Sequence, residues 1–253
     1  MAALTVLTLA AVVATSSTTV MTYNVQYDAS AEQRARTLEL IQQQAPDVLC
    51  VQEVSKPFMR EFDARLRETY PHRKWEPRSG TWGLGIVSRY PVREFRVFPQ
   101  KPHKMPAAEA VVVLPEQREL RVVCVHLFPP VARRNADASL MQTVGENAEL
   151  RVQQAQGLVD RYRQERRPVL VLGDFNEPSS SGGLEVLRGA GFQEACSGPL
   201  SCGPTWPGAN SPWPAVVQID HILGRGVSFS NARTVRGGGS DHLAVTAELA
   251  ALR

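Results

Sequence analysis

Pro168 is followed by Val169-Leu-Val-Leu-Gly-Asp174-Phe-Asn176-Glu-Pro, a short apolar run that ends in an acid and an amide. Such a run between breakers is a strand buried on both faces. Few architectures bury a strand that way, and the common ones cover a sheet with further layers on each side. Pro178 and the serines after it stop the strand just past the polar pair. Side chains two apart on a strand share a face, so Asp174 and Asn176 are expected to address one spot. An acid and an amide held together at a strand end suit a phosphate ester and a hard cation. Taken alone, the pair also suits an Asx-type turn closing a strand.

The chain has 253 residues, no proline-, glycine- or serine-rich linker and no internal repeat, which favours one domain. Its net charge of +3 is too small to imply nucleic acid by itself. The first charged side chain is Asp28, and the preceding stretch Ala2–Ala14 is uncharged and largely apolar. It is short for a membrane span and suits a signal-peptide core, although a basic n-region is missing. Residues 1–17 are therefore set aside as a targeting segment, with cleavage expected near Ala14, a domain over 18–253 and a secreted or extracytoplasmic location. Cys50 and Cys124 lie in apolar runs and are expected to be buried free thiols. Cys196 and Cys202 flank a small polar loop that a disulfide would close, in keeping with export.

Along the chain, strands are predicted at Thr19–Val25 and Pro46–Val54, the first delivering Asn24 and the second Glu53. Helices are predicted over 29–44, with Ser30 as N-cap, and over 56–70. Further strands are predicted at 83–89, 95–98, 109–114 and 120–127, the last reaching His126. A polar loop with Arg133 and Arg134 leads to a helix from about Glu146 to Gln164. After the strand ending at Asp174 come a short helix over 183–190, the cysteine loop and a tryptophan- and proline-rich loop. Val216–Leu223 is a strand carrying Asp220, Arg236–His242 a loop, and Leu243–Leu249 the last strand. Trp206 and Trp213 are expected to pack beneath their proline-rich loop rather than to stack a base or a lipid headgroup. His221 alternates away from Asp220 and reads as structural.

Seven segments, in this order, resemble the endonuclease/exonuclease/phosphatase superfamily of deoxyribonuclease I-like phosphoesterases. They are Thr22-Tyr-Asn24-Val, Asp47–Glu53, Gly85-Ile-Val-Ser-Arg89, Val125-His126-Leu, Gly173-Asp174-Phe-Asn176, Ile219-Asp220-His-Ile and Ser240-Asp241-His242. The resemblance spans roughly residues 19–250. It implies an α/β fold, a four-layer α/β/β/α sandwich of two mixed β-sheets flanked by helices. It also implies divalent-metal-dependent phosphoester hydrolysis.

By resemblance, Glu53 with Asn24 and Asp241 holds the metal, Mg²⁺ or Mn²⁺. Asp174 and Asn176 position the attacking water and the phosphate oxygens, His242 works with Asp220, and His126 contacts the scissile phosphate. Arg89, Arg133 and Arg134 are candidates for holding substrate phosphate. Gln26 stands where some nuclease branches carry an acid, which argues against a full second metal site. The chemistry is coherent in itself, because an anionic diester repels hydroxide and needs a cation on its oxygens and an oriented water. The expected substrate is a phosphodiester, in nucleic acid, phospholipid or a small molecule, with no stable protein partner implied and a monomer expected. The competing reading is a non-catalytic protein that binds a phosphate ligand on the same fold.

Overall fold

In a computed structural model the described residues are 17–100, 106–132, 137–196 and 202–252. The expected leader and its cleavage point, Arg133 and Arg134 lie outside them. The chain runs β1 (Thr18–Asn24), α1 (Ala31–Gln44), β2 (Val48–Gln52), α2 (Lys56–Leu66), β3 (His72–Glu76), β4 (Leu84–Ser88), β5 (Val92–Pro99) and β6 (Pro106–Val113). It continues with β7 (Glu119–His126), α3 (Leu140–Tyr162), β8 (Val169–Asp174), α4 (Gly182–Gly189), β9 (Gln193–Glu194), β10 (Asp220–Arg225), β11 (Val227–Val235) and β12 (Ala244–Leu252).

The strands form two six-stranded sheets, ordered β11-β12-β1-β2-β4-β3 and β5-β6-β7-β8-β10-β9. Each is mixed, with a central parallel pair, β1–β2 in one and β7–β8 in the other. Val20, Cys50, Val122, Leu172 and Ile222 are among the buried residues packed between the sheets. Phe58, Phe62, Leu38 and Ile41 carry α1 and α2 onto the outer face of the first sheet. Leu158, Tyr162, Leu184 and Leu187 carry α3 and α4 onto the second. The expected four-layer sandwich is the observed fold.

Local signals explain most element boundaries. Ser30 caps α1 in a full capping box with Gln33, and Ser55 caps α2 with Pro57 in its first turn. Ser139 caps α3, which begins a turn and a half earlier than predicted and runs through Gly145. β3 and β11 were not anticipated, because both are edge strands with half-exposed, polar sequences.

The cysteines correct one expectation and meet the other. Cys196 and Cys202 are bonded. Cys50 and Cys124 are not free thiols but a disulfide that joins β2 to β7 through the middle of the sandwich.

Candidate active site

The two parallel pairs end at the same edge of the sandwich. Asn24 is the last residue of β1 and lies opposite Gln52, with Glu53 the next residue of the chain. In the other sheet His126, Asp174 and Asp220 are successive partners across β7, β8 and β10. Gly173 permits this crowding, since a Cβ there would collide with the Val125 carbonyl of β7.

Asp174 is the hub. Its Oδ1 accepts from the Asn176 backbone N–H at 2.8 Å and its Oδ2 from Asn24 Nδ2 at 3.1 Å. The same Oδ2 lies 3.4 Å from His126 Nε2 and 3.7 Å from His242 Nε2. Asn24 therefore ties the two sheets together, because its Nδ2 also donates to Glu53 Oε1 at 3.1 Å. Glu53 Oε2 accepts from the Tyr27 N–H at 2.9 Å. Glu53, Asn176 and Gln26 all have left-handed backbones, with φ of 60°, 54° and 58°. Three such non-glycine residues at one edge mark locally strained loops, a recurrent property of functional sites.

His242 Nδ1 is 2.9 Å from Asp220 Oδ2, and both side chains are buried. Burial opposes charge on His242, but the carboxylates of Asp220 and Asp174 outweigh it and raise its pKa to about 10. Burial pushes the Asp220 carboxyl up, against the pull of His242. Thr205 Oγ accepts from the Asp220 N–H at 3.2 Å, and the Gly208 N–H donates to the Asp241 carbonyl at 2.6 Å. The tryptophan loop thus braces both halves of the couple.

Asp241 reaches the corner through its neighbours. Ser240 Oγ donates to the Asn24 carbonyl at 2.6 Å, and the Asp241 N–H donates to Gln26 Oε1 at 3.1 Å. Gln26 is thus a clamp between two site loops. His126 Nδ1 is 3.1 Å from the Thr81 carbonyl, which directs Nε2 into the site. The Trp82 ring lies 5.6 Å from His126 and stacks on Phe128.

Arg89 is not brought to this edge. β4 runs antiparallel to β2, with Ser88 opposite Val48, so Arg89 emerges at the far end of the sheet. There it is 3.6 Å from Asp47 and lies over the Tyr70 ring, a position that does not go with contact to substrate phosphate. His221 is structural, as read from its alternation. It bridges Glu194 Oε1 at 2.7 Å and the Glu177 carbonyl at 2.9 Å, and Glu177 in turn pairs with Arg151 at 3.2 Å. Sequence reasoning missed Thr81, Glu177 and Thr205 as supports and read Gln26 only as a missing acid. Of the three missed, only Glu177, an acid directly after the Asp174–Asn176 pair, carried a visible signal.

Four carboxylates, of Glu53, Asp174, Asp220 and Asp241, meet two histidines here, and among the described residues no arginine or lysine forms an ion pair with them. A divalent cation fits that imbalance. Asp174, Asp220 and His242 could together offer ligand atoms within 4.8 Å of one another. Asp220 is already engaged by His242 Nδ1, however, so that cluster is arranged to hold a proton. Glu53, Asn24 and Asp241 offer the hard oxygen donors that Mg²⁺ or Mn²⁺ takes.

Residues 21–242 match the model of the Endonuclease/Exonuclease/phosphatase family, and the chain belongs to that family. Membership carries the family's general chemistry, divalent-metal-dependent hydrolysis of phosphoesters. Similar solved structures include an endonuclease/exonuclease/phosphatase from Bacteroides vulgatus, 18% identical with a TM-score of 0.75, covering 93% of this chain and 99% of that one. TDP2 of D. rerio, solved with a single-strand DNA product, is 18% identical with a TM-score of 0.71, covering 92% and 99%. A conserved protein of unknown function from Enterococcus faecalis V583 is 19% identical with a TM-score of 0.71, also covering 92% and 99%. At these identities the likeness is one of fold. The search of curated proteins finds no match.

Proposed function

We propose that this chain is an exported, divalent-metal-dependent phosphodiesterase that hydrolyses its substrate by direct attack of water. The observation that carries the reading is the convergence of Asn24, His126 and His242 on one carboxylate, Asp174.

Glu53, Asn24 and Asp241 would hold Mg²⁺ or Mn²⁺, which when bound withdraws charge from the phosphate oxygens and eases attack on phosphorus. Asp174, its Oδ1 fixed by the Asn176 N–H, is placed to accept a hydrogen bond from the attacking water and orient it. Asn176 Nδ2 is held by the Leu127 carbonyl at 3.0 Å, which sets its amide at the mouth. His126 Nε2 and His242 Nε2 face the same space and donate to phosphate oxygens as negative charge builds. Asp220 fixes the orientation of His242 and stabilises its protonated form.

The two disulfides support the exported reading, because such bonds persist in oxidising compartments. The substrate reading is tested with a panel of bis-p-nitrophenyl phosphate, p-nitrophenyl phosphate, plasmid DNA, RNA, sphingomyelin and inositol phosphates, with Mg²⁺, Mn²⁺ or chelator. Metal-dependent turnover of diesters above monoesters is expected. Background turnover of every compound would contradict it.

A further inference from the structure

Among the described residues all eight exposed large hydrophobic side chains belong to three connections at the catalytic edge. Tyr27 follows β1, and its N–H holds Glu53. Val131 lies in the connection after β7 and Leu140, Met141 and Val144 in the first turns of α3; the same connection begins with Phe128, which stacks on the Trp82 ring that lies against His126. Trp206, Trp213 and Val216 lie in the loop before β10, the loop whose Thr205 and Gly208 brace Asp220 and the backbone of His242.

The opposite edge is different. Among the described residues its connections present Asp47, Arg89, Glu116, Arg118 and Arg167, and no exposed large apolar side chain. Single exposed hydrophobics are ordinary, but their confinement to the rim of one site is not. Met141 is 86% exposed, Trp213 74% and Trp206 42%, so the expectation that the two tryptophans pack under their loop is corrected. Trp213 instead walls an open cleft of about 310 Å³ with Pro207, Pro214, Leu243 and Arg236. Arg236 is exposed and has no acid partner among the described residues.

We propose that the catalytic edge docks on a phospholipid bilayer and takes its phosphodiester from a lipid headgroup there. Tryptophan favours the bilayer interface, and aliphatic side chains around it add binding by burial in the acyl boundary. Arg236 beside Trp213 supplies the cation that a lipid phosphate matches. Single-stranded nucleic acid fits less well, because the valines, leucine and methionine, five of the eight exposed side chains, offer no ring for a base to stack on. The substrate half of this inference rests on the phosphodiesterase reading, and docking is measurable apart from it.

The test uses the full chain and vesicles of phosphatidylcholine, with and without phosphatidylglycerol, carrying shallowly brominated acyl chains. Bromine is expected to quench tryptophan fluorescence, and Trp213→Phe to remove most of the quenched signal. Because the readout is Trp213, anchoring through residues 2–14 does not mimic it. A Met141→Asp/Val216→Asp variant should lower vesicle partitioning and turnover of vesicle phospholipid by about tenfold, with bis-p-nitrophenyl phosphate turnover unchanged. Turnover of the soluble diester without Trp213 quenching, or a variant that binds vesicles like the parent, would overturn docking alone. Loss of oligonucleotide binding in the variant with vesicle binding intact would assign the rim to nucleic acid and overturn it too. Quenching with no turnover of any phosphodiester would instead overturn the hydrolytic reading, and the lipid substrate with it.

Discussion

Asp174 and Asp220 stand directly opposite one another across the β8–β10 pair, with His242 Nδ1 2.9 Å from one carboxylate and Nε2 3.7 Å from the other. Two acids in that register repel, and the imidazole between them is the group that makes the pairing tolerable. If the couple acts as a unit, His242→Ala and Asp220→Ala should each cut turnover by about a hundredfold or more. The double variant should be little worse than His242→Ala. Steady-state rates, with circular dichroism to check folding, decide it. Multiplicative losses would separate the two residues.

The inter-sheet disulfide is expected to be the larger of the two covalent contributions to stability. Cys50 and Cys124 are 74 residues apart, against 6 for Cys196 and Cys202. On the chain-entropy account this is about 4 kcal/mol against about 2. Denaturant unfolding of Cys50→Ala/Cys124→Ala and Cys196→Ala/Cys202→Ala proteins should show that order, and the reverse order would contradict it.

A pH effect is expected from Glu194. Burial alone would raise its pKa, but hydrogen bonding and charge from His221, with Ser179 and Arg188, hold it below the usual 4.5. A carboxylate with a lowered folded-state pKa stabilises the fold above 4.5, and the contribution is lost as pH falls through the folded value. Glu194→Gln should therefore cost about 1–3 kcal/mol at pH 7 and show a smaller loss of stability on acidification below pH 4.5. Melting curves that fall in parallel for the two proteins would contradict the assignment.

Much of the site was legible because its residues terminate apolar strands. Asn24, Glu53, His126, Asp174 and Asp220 each stand at or next to the end of a buried run, and a strand end is where side chains from different strands can meet. What was hidden depends on relations between strands. Cys50 and Cys124 each look like any small apolar residue, and only the stacking of the sheets makes them partners. Arg89 ends a strand just as Glu53 follows one, but β4 runs opposite to β2, and local sequence does not give strand direction. β3 and β11 lack the apolar run because edge strands are solvated. Trp213 sits among prolines that suggested packing, whereas its loop is spread against Asp220 and His242 and leaves the ring outside.

Trp82 is expected to be a positioning residue for His126. Trp82→Ala should lower kcat about tenfold by releasing the imidazole from its ring contact, with KM little changed. Trp82→Phe should restore most of the loss. An unchanged kcat in Trp82→Ala would remove it from the support of the site.

The most direct test of a metal-dependent site at this edge is bis-p-nitrophenyl phosphate turnover by the parent protein and Glu53→Gln across a Mg²⁺ and Mn²⁺ titration. The parent should be inactive in chelator and saturate with metal. Glu53→Gln should keep its fold and lose about a hundredfold or more at saturating metal, the scale of removing a preorganised charge contact. Near-parental turnover by Glu53→Gln, or parent turnover that ignores chelator, would contradict the account.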